Sequence, residues 1–112
     1  MKIKIALAQL DIVFGDPDKN FAQIEPNVQN AAEQQADIIV FPEMWNTGYD
    51  LTRLDKVADK DGQRTQQLLS ELAKKYQITV HGGSVSTAKH GAFYNTTYIF
   101  CLLYTSDAAD DK

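Results

Sequence analysis

Residues 38–41 read Ile-Ile-Val-Phe, an apolar run that stops abruptly at Pro42-Glu43. A short run of this kind, without alternating polar residues, fits a strand built for burial inside a sheet that is layered with helices. The flanking sequence supplies those helices. Phe21, Ile24, Val28, Ala31 and Ala32 recur at helical spacing, so Pro17 to Gln35 reads as an amphipathic helix. Asp16 or Asp18 is placed to cap it. Pro26 lacks an N–H and crowds the preceding turn, which predicts a kink there or a later helix start.

The remaining elements follow the same logic. Ile3 to Leu10 is a compact apolar run expected to form a buried strand, and Ala36 to Phe41 is the second strand. A loop and a polar stretch lead to a helix from Gln63 to Tyr76, with Leu68, Leu69, Leu72, Ala73 and Tyr76 on one stripe. Ile78 to Val85 reads as a third strand with glycines near its end. Lys89 to Gly91 makes a turn, and Phe93 to Phe100 is a fourth strand. The order β-α-β-α-β-β implies an α/β fold with helices covering a sheet. Neither repeats nor linkers interrupt it.

Composition narrows the function. The 112 residues carry a net charge of −4 with their Lys and Arg scattered, which argues against a nucleic-acid partner. The apolar run at the N-terminus is too short for a signal peptide or a membrane span, so the chain is read as cytoplasmic and without a membrane partner. A single cysteine, Cys101, excludes an internal disulfide. Two histidines, His81 and His90, lack the companions that a metal site needs.

Glu43 is the residue with chemistry to offer. Ligands tend to sit at strand ends in α/β sheets, and a carboxylate there is partly desolvated, which raises its pKa toward the range of a general base. Pro42 biases Phe41 to an extended conformation and so helps aim the carboxylate. Trp45 and Tyr49 are candidates for the wall of a substrate pocket. On spacing alone the plainer reading stays open: Glu43 as the first solvated residue after a strand, and the aromatics as edge packing.

In these residues the sequence resembles the nitrilase superfamily, the carbon–nitrogen hydrolases. The resemblance is carried by I-A-L-A-Q at Ile5 to Gln9, A-D-I-I-V-F-P-E at Ala36 to Glu43, T-G-Y at Thr47 to Tyr49 and the glycine-bearing strand Val80 to Val85. Met44 to Leu51 is similar to the branch that hydrolyses ω-amides of small dicarboxylic or oxo acids. The resemblance implies a four-layer α-β-β-α sandwich, incomplete in this chain, and a whole protein that forms dimers or larger homo-oligomers. It implies a small-molecule amide substrate and no metal or organic cofactor. It also implies catalysis by a Glu, a Lys and a Cys, of which Glu43 alone matches its motif here, as the general base.

Lys112 and Cys101 are not the other two. The surroundings of Lys112 match nothing in the family's lysine segment, and Cys101 directly extends the fourth strand instead of sitting at a strand-to-helix elbow. Residues 1–100 are therefore expected to be the N-terminal part of a carbon–nitrogen hydrolase domain, inactive alone. Residues 101–112 are expected to be a non-native tail, since the resemblance stops there and Cys101 to Asp111 can be encoded by a sequencing-library adapter.

Two rivals remain. His81-Gly82-Gly83-Ser84 is similar to an oxyanion motif of esterases, but the serine lacks the G-x-S-x-G elbow, so the glycines are read as permitting close backbone approach. The other rival is a non-catalytic α/β module that binds a partner through an exposed sheet edge or face. If half of a two-sheet sandwich is missing, the strands Ile38 to Phe41 and Tyr94 to Phe100 lack a covering layer, and the isolated chain is expected to be poorly soluble or molten.

Overall fold

The structure, a computed structural model, describes residues 2–101. Of the tail expected over 101–112, only Cys101 falls among them; the rest lies outside the described residues. The chain begins with strand β1 (Ile5–Leu7), followed by helices α1 (Pro17–Phe21) and α2 (Ile24–Glu33). Strand β2 (Ile38–Val40), helix α3 (Leu54–Val57), strand β3 (Asp59–Lys60) and helix α4 (Gln63–Tyr76) come next. Strands β4 (Thr79–His81), β5 (Val85–Lys89), β6 (Ala92–Thr96) and β7 (Ile99–Phe100) complete the order. The α/β class holds.

The helices start where their chemistry says they should. Asp16 caps α1 by accepting a bond from the Lys19 N–H, with Pro17 in the first position, where no N–H is needed. The single helix expected over Pro17 to Gln35 is two. The break falls at Ala22-Gln23, and Pro26 sits in the first turn of α2, where its missing donor costs no helical bond. Helix α4 has the expected bounds. Its N-terminal amides are met by Asp59, whose carboxylate accepts from Arg64 N–H at 3.2 Å and Thr65 N–H at 2.7 Å.

One sheet has the order β1-β2-β4-β7, with the first three strands parallel and β7 antiparallel to β4. In register, Ala6 pairs with Ile39, Ile39 with Val80 and Val80 with Phe100. These residues belong to one core with Phe21, Ile24, Val28, Leu69, Leu72 and Ala73 from the helices. Each apolar side chain taken fully out of water there contributes about 1.5–3 kcal/mol.

The opposite face differs from expectation. Ile3 to Leu10 is not a buried strand: β1 is three residues long, lies at the sheet edge, and leaves Ile5 55% and Leu7 73% exposed. The reason is the two-residue side-chain period, which turns Ala6 to the helices and Ile5 and Leu7 away from them, where no described element covers them. Ile99, paired with His81 on the same side, is also exposed.

The third and fourth strands are likewise divided. Ile78 to Val85 splits into β4 and β5, and Phe93 to Phe100 into β6 and β7, so the chain leaves the four-stranded sheet and returns to it. The excursion forms a second sheet, β3-β5-β6, whose antiparallel hairpin turns at His90-Gly91, both left-handed. Gly83 makes the exit possible. Its φ is +61°, and a Cβ there would run into the carbonyl oxygens of Phe41 and Pro42.

Candidate active site

Strand β2 delivers Phe41 and Pro42 to the sheet rim, and Glu43 follows. The partial desolvation expected for Glu43 is absent: the residue is exposed, because no described element packs over this end of β2. Its Oε1 accepts a hydrogen bond from the Tyr49 hydroxyl at 3.3 Å, and Tyr49 is itself 63% exposed. The structure thus brings two of the three candidate residues together.

It does not bring in the third. Trp45 is placed in the core and not on a pocket wall. Its ring packs edge-on to Phe21, centroids 4.9 Å apart, and lies 6.1 Å from Phe41, while its Nε1–H donates to the Gly82 carbonyl at 2.8 Å. A large ring with one donor gains most where both needs are met, and the loop turns inward at Trp45 to meet them.

Beyond Trp45 the loop is bolted down by buried polar groups that sequence reading did not single out. The Asn46 amide donates to the Ser86 carbonyl at 3.0 Å and accepts from the Ser86 N–H at 2.9 Å, which copies a strand pairing with a side chain. Asn20 donates to the Asn46 carbonyl at 2.9 Å, and the hydroxyls of Thr47 and Ser86 lie 3.0 Å apart. Asn20, Asn46 and Thr47 are fully buried. Such groups are costly when unpaired, so the pairing fixes the loop in one arrangement. Asn46 carried no signal for this, because asparagine is as common in ordinary turns.

Asp50 closes the loop. It is buried against Arg53, whose Nε and Nη2 reach its Oδ2 at 3.0 Å and 2.8 Å. Burial pushes its carboxyl upward, but bonds from Arg53 and Thr52, with the charge of Arg53, outweigh it and hold the group below its ordinary value.

The residues set aside above have other places. Ser84 is buried with its hydroxyl accepting from the Met44 N–H, which does not suit a nucleophile. Cys101 follows β7 directly and is half-buried. Among the described residues no group of three or more His, Cys, Asp or Glu is placed to hold a metal, and no helix is long and apolar enough to cross a membrane. A hollow of about 260 Å³ lies between β1 and α2, away from Glu43.

The chain that carries this arrangement is similar to known proteins. Residues 4–102 match the carbon–nitrogen hydrolase family. The chain is 41% identical over 99 residues to the 2-oxoglutaramate amidase of Bacillus subtilis (strain 168), covering 88% of this chain and 38% of that protein. It is 35% identical over 97 residues to the omega-amidase NIT2 of Mus musculus, covering 87% of this chain and 35% of the relative. Its fold matches crystalline Nit3 of Saccharomyces cerevisiae, a member of the nitrilase superfamily, with a TM-score of 0.76 and 29% identity over 89% of this chain and 40% of that one. The chain therefore spans 35% to 40% of the length of these relatives. By sequence and by fold it belongs to the carbon–nitrogen hydrolases, as an α/β chain of the nitrilase superfamily.

Proposed function

We propose that this chain is the base-bearing N-terminal part of an ω-amidase-like enzyme that hydrolyses non-peptide amide bonds of small molecules. The observation that carries the reading is Glu43, exposed at the carboxyl end of a parallel strand with the residues on both sides of it held by hydrogen bonds. Similarity to the Bacillus subtilis 2-oxoglutaramate amidase and the mouse omega-amidase favours small ω-amides.

In this reading Glu43 takes the proton of a cysteine thiol, and the sulfur attacks the amide carbon. The lysine stabilises the oxyanion while the C–N bond breaks and ammonia leaves with the transferred proton. Water, deprotonated by Glu43, then cleaves the thioester. Tyr49, already bonded to the carboxylate, faces the substrate, and Trp45 supports the loop from beneath. The lysine and the cysteine are contributed by sequence that follows this chain's match, so the chain alone is inactive. The whole enzyme works as a cytoplasmic homo-oligomer without a metal or cofactor.

The test is ammonia release from a small ω-amide. The 112-residue chain is expected to give no more than an enzyme-free blank. The uninterrupted gene product from the source locus is expected to be active and to lose activity on Glu43→Gln. Full activity in that variant removes Glu43 as the base, and activity in the short chain overturns its incompleteness.

A further inference from the structure

The stretch His81-Gly82-Gly83-Ser84 has no part in the chemistry above, yet it lies directly against the segment that carries Glu43. The Phe41 N–H donates to the His81 carbonyl at 3.0 Å, and the Ser84 N–H donates to the Pro42 carbonyl at 3.2 Å. The Trp45 N–H donates to the Ser84 carbonyl at 3.2 Å, and the Trp45 indole N–H to the Gly82 carbonyl at 2.8 Å. The Met44 N–H donates to the Ser84 Oγ at 2.9 Å. Both residues before Glu43 and both residues after it are thus tied to three residues of this stretch, His81, Gly82 and Ser84.

All of these bonds except one are accepted by backbone oxygens, which a change of side chain at position 84 would leave in place. The exception is the Ser84 hydroxyl, and the residue it holds is unusual. Met44 has φ = +53°, a left-handed conformation that side-chain-bearing residues seldom adopt and that persists only where the surroundings impose it. Trp45 is fixed in the core, so if Met44 relaxed toward ordinary φ the end of the chain that moved would be Glu43.

We infer that Ser84 is a positioning residue for Glu43: its buried hydroxyl holds Met44 left-handed and thereby sets the direction in which the Glu43 carboxylate leaves the sheet. The catalytic meaning of this rests on the base reading given above; the geometry does not. Ser84 never touches the reacting atoms.

The experiment uses the 112-residue chain with ¹³C-labelled glutamate carboxyls, assigned by Glu43→Gln, together with amide hydrogen exchange. In the wild type, the Met44 amide is expected to be protected; exchange there as fast as in an unstructured peptide overturns the inference. In Ser84→Ala, Met44 exchange is expected to rise by about tenfold, the size of one lost hydrogen bond, while Val80 is unchanged. The Glu43 carboxyl resonance is expected to move with it. Ser84→Cys keeps the volume with a weak acceptor and serves if Ser84→Ala does not fold.

Adding Met44→Gly is the decisive arm. Glycine takes the left-handed conformation freely, so the double variant is expected to return the Glu43 resonance toward wild type. A merely structural serine would lower stability, leave the Glu43 resonance where it was and gain nothing from the glycine; that pattern sinks the proposal. If the resonance responds as expected while the complete enzyme keeps its rate after Glu43→Gln, the positioning role stands and the base assignment falls.

Discussion

The segment 41–50, which follows β2, and strand β1, which pairs with β2, are finished to very different degrees. The first is anchored by Trp45 in the core, by the Asn46–Ser86 pairing and by Asp50 with Arg53. The second keeps only Ala6 against the core and leaves Ile5 and Leu7 in water. The difference separates what this chain settles by itself from what it leaves to other contacts. The position of Glu43 is set by contacts among residues 2–101, whereas the apolar face at β1 gains little until something covers it.

The sharpest way to break that contrast is Trp45→Ala. The change removes a fully buried ring and strands the Gly82 carbonyl, and it is expected to cost about 3–5 kcal/mol in a urea titration. A loss no larger than that of an exposed residue would mean the loop is not anchored as described. The opposite region answers in another currency. Ile5→Lys with Leu7→Lys is expected to change stability by no more than about 0.5 kcal/mol each, yet to shift light scattering of the chain from associated species toward monomer. Unchanged association would place the sticky surface elsewhere.

The smallest effect is a pH response confined to the anchored region. The folded pKa of Asp50 lies below its ordinary 3.8, so its ion pair stabilises the fold above that value and the contribution is lost as pH falls through the lower folded value. The stability difference between wild type and Asp50→Asn is therefore expected to be constant near neutrality and to shrink below pH 3.8. A difference that grew on acidification would reverse the sign of the linkage.

Much of this was legible in the sequence, and the gaps have physical causes. The stripe Leu68, Leu69, Leu72, Ala73 and Tyr76 marked α4, because a long amphipathic period is a local property. The sidedness of β1 was hidden, since an all-apolar run looks the same whether one face or two are covered. The crossing at Gly82 to Ser84 was missed because it depends on Phe41 and Pro42 lying against Gly83, a contact distant in sequence. The motif singled out Glu43 and Tyr49, which the structure places in hydrogen-bond contact, but it did not reveal the exposure of the carboxylate. Trp45 was misplaced for a related reason: an aromatic in a loop can face either way, and only the position of Gly82 decides.

Strand β2, which delivers Glu43, has a hydrogen-bonded neighbour on each side, β1 and β4. A strand so placed cannot fray from one flank; two ladders must open together before its last residues come loose. Glu43 is thus carried at the end of a strand that neighbours hold from both sides.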